Sequence, residues 1–220
     1  MKLFLLGGTG RTGTEFLDLA LSRGHELTAF VRSPAKISRQ HPRLYVVRGD
    51  PRSTDELTLA LPGHDAVVSA IGPRPREALR GTRLLGECAS STVRAMTAVG
   101  VRRLAIVSSA LLFPEKGAFF TFFRWLLRHH VADLRDMERV VVESTLSFTI
   151  VRPPRLVHSR AEHYRAAKSA LPGRSAMSFR AVAVAMLDAL ERPTEPREVI
   201  GLTRGSSAHA STRELIRTSA

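Results

Sequence analysis

The stretch MKLFLLGGTGRTG, Met1 to Gly13, decides the fold because it combines a buried strand, a glycine turn and a helix start. The apolar run Leu3 to Leu6 suits a strand that is covered on both faces, as in a parallel sheet. The glycines that follow satisfy both GxxGxxG and GxGxxG spacing: Gly7, Gly8, Gly10 and Gly13. Such glycines permit a tight turn, close approach of backbone to a pyrophosphate and close packing of helix on strand. The stretch therefore indicates dinucleotide binding, with a purely structural turn as the alternative.

Strand-like and helix-like segments alternate along the rest of the chain, which predicts an α/β fold with a parallel sheet. Further strands are predicted at residues 26–31, 44–47, 65–71, 104–107, 148–151 and 198–202. Helices are predicted at residues 12–22, 53–61, 83–99, 132–144 and 179–190. We expect one Rossmann-like domain over residues 1–220, with 203–220 as a polar C-terminal tail.

Composition narrows the class of protein. The chain has 220 residues, a formal net charge of +13 and a single cysteine, Cys88, which rules out an internal disulfide framework. Its arginines are spread along the chain without a basic tail or interleaved aromatic residues, so we expect a solvated basic surface that attracts anionic cofactors rather than nucleic-acid binding. With no signal peptide, membrane-spanning run or metal-ligand cluster in the sequence, a cytoplasmic enzyme is expected.

The end of the second predicted strand bears on the choice of cofactor. Arg32 and Ser33 stand roughly 20 residues past the glycines, where this fold meets the adenosine ribose. An acidic residue there would bind the 2′-hydroxyl of NAD, whereas arginine and serine would bind the 2′-phosphate of NADP. Arg11 and Lys36 could add positive charge. NADP is therefore predicted over NAD, and a plain surface arginine is the alternative.

The next two strand ends offer further contacts. Asp50 follows the third strand, where it could accept a hydrogen bond from the adenine amino group or cap the helix that begins near Ser53; we hold these interpretations even. The fourth strand ends at Gly72-Pro73, where small residues would let the chain pass beneath a cofactor.

Serines and prolines mark the ends of the fifth and sixth strands. Ser108 and Ser109 follow the fifth strand, at the edge where this fold places its chemistry. Residues 113–127 are unusually aromatic, with Phe119, Phe120, Phe122, Phe123 and Trp125. They suit core or dimer packing, or an apolar wall for an aromatic substrate. Pro153-Pro154 ends the sixth strand, either as a rigid lid beside a nicotinamide or as an ordinary chain exit.

Taken together, the motifs GGTGRTG, VRSP, RGD, SAIGP, VSSALL and TIVRPPRL resemble those of the atypical short-chain dehydrogenase/reductases. The similarity, over about residues 1–202, is to the NmrA-like branch that includes the biliverdin reductase B type flavin reductases. It implies a doubly wound sheet ordered 3-2-1-4-5-6 with a short seventh strand, NADPH as cofactor, and an aromatic, flavin-like or quinone-like acceptor.

The resemblance also assigns residues. It implies that the pyrophosphate is held by Gly7, Thr9, Gly10, Arg11, Thr12 and Gly13. It places Arg32 and Ser33 at the 2′-phosphate, Asp50 beside adenine, and Ala70, Ile71 and Gly72 beside the ribose. The nicotinamide would lie near Pro153 and Pro154, and Ser109 matches the serine near the nicotinamide and is the candidate catalytic residue. Ser108 is also assigned to cofactor binding.

One departure from the wider superfamily concerns its catalytic Tyr-x-x-x-Lys, which lies on a helix between the fifth and sixth strands. Here no tyrosine occurs between Tyr45 and Tyr164. Tyr164 and Lys168 match the spacing but follow the sixth strand, so we predict a surface loop or short strand there rather than a catalytic dyad. The flavin-reductase branch also lacks the dyad.

The sequence thus predicts an NADPH-dependent reductase of a small, flat aromatic acceptor, with flavin possible as substrate. The alternative is a non-catalytic sensor that binds NADP(H) and reports its redox state to a partner. A monomer or homodimer without nucleic acid or membrane partners is expected.

Overall fold

The apolar run after Met1 forms β1 (Lys2–Leu6), and its four apolar residues are fully buried. The computed structural model describes residues 1–74, 77–78, 81–113, 125–168 and 176–205. Within this part of the chain, β1 pairs in parallel with a strand on each side, as its apolar run predicts. The dinucleotide-binding turn is therefore held at the centre of a sheet.

The main sheet has eight strands in the order β3-β2-β1-β4-β5-β6-β10-β8. Its further parallel strands are β2 (Glu26–Val31), β3 (Leu44–Arg48), β4 (Ala66–Ser69), β5 (Arg103–Val107), β6 (Ser147–Arg152) and β10 (Arg197–Arg204). The predicted order 3-2-1-4-5-6 and its seventh strand are confirmed. That seventh strand, β10, continues to Arg204, so the predicted tail begins later than Thr203; residues 206–220 lie outside the described ranges.

Three strands extend this plan. β8 (Tyr164–Ala167) pairs antiparallel with β10 at the sheet edge. β7 (Leu156–Val157) and β9 (Met177–Ser178) form a separate two-stranded sheet. All three fall after the two prolines that end β6, and they build a small structure beside the carboxyl ends of the parallel strands.

Helices of the described ranges cover the two faces of the sheet: α1 (Arg11–Ser22), α2 (Thr54–Ala60), α3 (Leu84–Val99), α4 (Arg128–Glu143) and α5 (Phe179–Glu191). The apolar faces of α1 and α5 pack on one side, and those of α2, α3 and α4 pack on the other. Burying one large side chain such as Phe4 or Phe16 contributes about 1.5–3 kcal/mol.

Local signals explain most helix ends. The α3 helix stops at Gly100, which takes the left-handed conformation with φ +78°. The α2 helix begins at Ser53, whose hydroxyl accepts a hydrogen bond from the backbone of Glu56. The alternative that Asp50 caps this helix is therefore wrong. The α4 helix begins one turn before its predicted start at Ala132, because Val131 packs into the core from that turn.

Candidate functional site

The glycine turn joins β1 to α1 and leaves the amino end of the helix open. Gly7 has φ +79°, a conformation suited to glycine, and a Cβ at Gly13 would lie 2.1 Å from the Gly7 carbonyl oxygen. Gly10 is the N-cap of α1, and no side chain caps the free N–H groups of that helix. A glycine turn that leads into an uncapped helix terminus is a binding site for a phosphate-like anion.

A cleft of about 360 Å³ runs along the carboxyl ends of β2, β1 and β4. Eight residues that the sequence assigned to cofactor binding line it together: Gly7, Thr9, Gly10, Arg32, Ser33, Ala70, Ile71 and Gly72. Thr12 and Gly13 lie within α1 behind the turn. The cleft lies where this fold binds an extended, phosphate-bearing ligand.

Arg11 points elsewhere. Its guanidinium lies 4.7 Å from the centroid of the Phe179 ring, at the start of α5, and it is not among the residues that line the cleft. In this arrangement Arg11 offers a backbone N–H at the start of α1, while its side-chain charge is held against an aromatic ring. The extra charge expected at the 2′-phosphate therefore does not come from Arg11.

Sequence reasoning missed Arg48, which ends β3 directly opposite Val31 in β2. Arg32 and Arg48 share the lining of a depression of about 390 Å³ beside the cleft. Neither makes an ion pair with any residue that the structure describes, and both are exposed. Lys36 lines the cleft nearby. Three cations thus surround the place where an adenosine phosphate is expected.

Asp50 lines the same depression but has a partner. Arg52 donates to its carboxylate at 3.2 Å and 2.8 Å, and these hydrogen bonds lower the pKa of Asp50. The carboxylate is therefore ionised and oriented. The interpretation of Asp50 as an adenine contact remains a prediction.

Ser108 and Ser109 differ in what their hydroxyl groups can do. Ser108 is 7% exposed and its Oγ lies 2.5 Å from Oε1 of Glu138 on α4. Because a carboxylate only accepts hydrogen bonds, the Ser108 hydroxyl is the donor in its hydrogen bond to Glu138. Ser109 instead accepts from the backbone N–H of Leu111 at 3.3 Å, a contact that leaves its own hydrogen free. Of the two serines, Ser109 is the one able to donate to a ligand.

The proline segment after β6 is fixed to the serine turn. The Pro153 carbonyl accepts a hydrogen bond from the Ala110 backbone at 2.9 Å. Pro153 is buried, whereas Pro154 is half-buried. Both prolines follow β6 at the same sheet edge as the cleft, but they do not line its described wall.

Much of the predicted aromatic wall, including Phe119, Phe120, Phe122 and Phe123, lies outside the described residues. Its two ends are described. Phe113 is buried at 7% exposure and its ring lies under the Arg152 guanidinium, whereas Trp125 is 61% exposed. Phe113 thus packs beside the ends of β5 and β6, and whether the wall contacts a substrate stays a prediction.

Tyr164 and Lys168 do not share a helix. Tyr164 begins the antiparallel strand β8 and its hydroxyl donates to Asp188 at 2.9 Å, while Lys168 follows the strand and is exposed. The predicted short strand is confirmed. Among the described residues, the helix between β5 and β6 is α4. Its first turn carries a feature that sequence reasoning overlooked: the Nδ1 atom of His130 is buried and has no hydrogen-bond partner within the part of the chain that the structure describes. Burial lowers the pKa of His130.

A family model described as NAD(P)H-binding matches residues 7–193, which includes the glycine turn, the cleft and the proline segment. The chain belongs to this NAD(P)H-binding family. The uncapped turn of this family member fits a pyrophosphate, and Arg32 and Arg48, at and beside the β2 end of the cleft, fit a further phosphate. No helix among the described residues is long and apolar enough to cross a membrane.

Two relatives extend the match. YwnB of Bacillus subtilis, whose function is uncharacterized, is 26% identical over 216 residues, covering 90% of this chain and 96% of that protein. The chloroplastic protein At2g34460 of Arabidopsis thaliana, also uncharacterized, is 30% identical over 166 residues, covering 69% of this chain and 58% of that one.

Solved structures show the same fold. A short-chain dehydrogenase/reductase of wide type from Veillonella parvula, solved in complex with NADP, superposes with a TM-score of 0.75 at 23% identity, over 94% of this chain and 96% of its own. The oxidoreductase ylbE from Lactococcus lactis gives 0.75 at 23% identity, over 93% and 91%. The NAD(P)H-binding chain thus has an oxidoreductase-like Rossmann fold.

Proposed function

We propose that the chain is an NADPH-dependent oxidoreductase that transfers hydride to a flat aromatic acceptor of the flavin or quinone type. The observation that carries this proposal is the cleft. It has an uncapped glycine turn in its wall and Arg32 at one end, with Arg48 in the adjoining depression. The ends of β5 and β6, which carry the serine turn and the proline segment, follow β4 along the same edge of the sheet. The resemblance to the NmrA-like and biliverdin reductase B type reductases supports the same acceptor class.

The preference for NADPH over NADH follows from the positive charge of the arginines beside the cleft. The pyrophosphate would lie against Gly7, Thr9 and Gly10, held by the free backbone N–H groups of the first turn of α1; the Gly10 N–H itself donates to the Gly7 carbonyl. Arg32 and Arg48 would hold the 2′-phosphate, because a dianion neutralises two arginines that otherwise repel each other. NADH would leave these arginines without a phosphate partner, with Asp50 in the same depression as an acidic neighbour. The NADP complex of the Veillonella parvula protein supports this choice.

When bound, NADPH supplies the hydride, and the chain supplies position and hydrogen bonds. Ser109 would donate to a heteroatom of the acceptor, and the acceptor's proton would come from solvent or from this weak donor. Pro153 and Pro154 would cover the nicotinamide and exclude water. Holding two reactants in contact can lower a barrier by roughly 7–11 kcal/mol, which suffices for an acceptor that is already easily reduced.

A second candidate function is a non-catalytic NADP(H) sensor. One observation favours it: α4 occupies the place of the superfamily's catalytic helix, yet it presents Leu134 and Met137 to the core and carries no tyrosine. A sensor would bind NADP⁺ and NADPH with unequal affinity and would need no proton donor.

The deciding experiment follows NADPH oxidation by absorbance with a free flavin, with a quinone and without acceptor. Reduction of either acceptor above the background rate, abolished in Gly10→Val and slowed in Ser109→Ala, supports the reductase. Absence of turnover with every acceptor, together with tight and unequal binding of NADP⁺ and NADPH, supports the sensor instead.

A further inference from the structure

A buried carboxylate on α4 connects the ends of two neighbouring strands. Glu138 is 7% exposed and accepts three hydrogen bonds. Oε1 accepts from Ser108 Oγ at 2.5 Å and from Arg152 Nε at 2.9 Å, and Oε2 accepts from Arg152 Nη2 at 2.5 Å. The two arginine bonds form a fork, the most directional ion-pair geometry that proteins use.

This Glu138 network (Ser108, Phe113, Glu138 and Arg152) reaches further than its three hydrogen bonds. The Arg152 guanidinium lies 4.7 Å from the centroid of the Phe113 ring, so the same side chain binds the carboxylate and packs on an aromatic ring. Arg152 directly precedes Pro153, whose carbonyl holds the Ala110 backbone. One carboxylate therefore ties the serine turn, the proline segment and the start of the aromatic stretch to α4.

The network lies on the same edge as the cleft. The cleft begins beside β2, passes the glycine turn after β1 and reaches Ile71 and Gly72 after β4. In the sheet order the next two strands are β5 and β6, and their ends carry Ser108 and Arg152. A dinucleotide whose phosphates lie at β2 and β1 would place its nicotinamide against these ends.

A gain in folding stability does not by itself explain the buried ion pair between Glu138 and Arg152. Removing two charges from water costs several kcal/mol per ion, and apolar side chains of similar volume often replace a buried ion pair without loss of stability. What the fork supplies is a fixed orientation of both partners. Glu138 also accepts the hydrogen bond that the Ser108 hydroxyl can donate. Ser109 is therefore the hydroxyl donor that remains in the turn.

We propose that Glu138 is a positioning residue: through Ser108 and Arg152 it sets the geometry of the serine turn and the proline segment around the nicotinamide. This inference rests on the proposed function, because it assigns those two segments to the reacting end of the cofactor. It predicts that loss of the carboxylate disturbs the nicotinamide half of the site and leaves the phosphate half intact.

The test is Glu138→Gln, which keeps the size of the side chain and removes its charge. We expect the dissociation constants of NADPH and of 2′,5′-ADP to stay within about threefold of wild type, a shift under about 0.7 kcal/mol. We expect kcat with flavin or quinone to fall at least about tenfold, and the fluorescence of bound NADPH to move toward that of free NADPH. Asp136→Asn is the matched control, because it breaks an exposed ion pair with Arg139 on the same helix.

A double variant separates positioning from folding. In Glu138→Met with Arg152→Met, apolar packing should return the thermal midpoint close to that of wild type, while kcat and the bound-NADPH fluorescence stay altered. Recovery of kcat together with stability would overturn the proposal, since the network would then serve the fold alone. If Glu138→Gln fails to fold, kcat and the fluorescence of bound NADPH are measured on the double variant instead.

The two proposals fail differently. If wild type reduces no acceptor, the proposed reductase function is wrong, and the fluorescence of bound NADPH then decides the inference by itself. An unchanged emission in both Glu138 variants, at unchanged affinity for 2′,5′-ADP, would show that Glu138 does not shape the nicotinamide site.

Discussion

Replacing Arg32 with aspartate is expected to reverse the preference between NADPH and NADH. Arg32 directly follows β2 and lines both the cleft and the depression that it shares with Arg48. No residue in the described ranges forms an ion pair with it, so its charge is available to a ligand. In Arg32→Asp a carboxylate would face the 2′-phosphate of NADPH, whereas it could accept a hydrogen bond from the 2′-hydroxyl of NADH.

The magnitude follows from the exposure of the site. Two unit charges about 4 Å apart interact by about 1 kcal/mol in water and about 4 kcal/mol near a protein surface. Arg32 is exposed, which favours the lower figure, but the substitution turns an attraction into a repulsion. Arg48 and Lys36 remain and offset part of the loss. We expect NADPH binding to weaken by about 2–3 kcal/mol, or about 30- to 140-fold.

The assay compares kcat/KM for NADPH and NADH in wild type and Arg32→Asp. Arg102→Asp is the control, because Arg102 is exposed at the opposite edge of the sheet and its substitution changes the net charge equally. If Arg32→Asp leaves the NADPH-to-NADH ratio within about twofold of wild type, equivalent to roughly 0.4 kcal/mol, the 2′-phosphate assignment is wrong.

Three further variants or reagents test other parts of the site. Gly10→Val should abolish NADPH binding with cooperative unfolding retained, since its Cβ would lie 3.2 Å from the Gly7 carbonyl oxygen and its branches would fill the phosphate space; unchanged affinity in a fluorescence titration contradicts this. Cys88 is buried, and burial raises the pKa of its thiol to about 12, so alkylation at neutral pH should need urea; fast labelling of the folded protein would refute its burial. Tyr164→Phe with Lys168→Ala should keep kcat within about tenfold, about 1.4 kcal/mol of barrier, because the tyrosine hydroxyl is bound to Asp188; a thousandfold loss at intact NADPH affinity would place the reaction there.

The centre of the parallel sheet was predictable because β1, β4 and β5 are short apolar runs that end in or before glycine or serine. Leu3 to Leu6 is fully buried, as a central parallel strand requires. The two-residue strands β7 and β9 carry no such signal, because their pairing depends on a neighbour about 20 residues away. Register across the sheet cannot be read from either segment by itself.

The site was predictable where its residues lie at a fixed sequence spacing from the glycines. It was not predictable where residues distant in sequence meet only in the folded sheet. Arg32 stands at a fixed distance from the glycines, so sequence spacing found it. Glu138 lies 30 residues from Ser108 and 14 from Arg152, and only the folded sheet brings the three together. Arg48 could have been found by asking which residue ends the strand next to β2. The stack of Arg11 on Phe179 had no sequence signal, since it joins the start of α1 to the start of α5.

The packing of α1 against α5 has a consequence for how the protein is made. The first helix buries Phe16 and Leu17 in a cluster to which α5 contributes Val182 and Met186. During synthesis, α1 leaves the ribosome long before α5 exists, and its apolar face has no complete partner in the interval. We expect a nascent chain that ends before Phe179 to be prone to aggregation and dependent on chaperones. Folding would then complete only when the last described helix and β10 dock, so a premature stop before Arg204 would destabilise the whole molecule rather than only its C-terminal part.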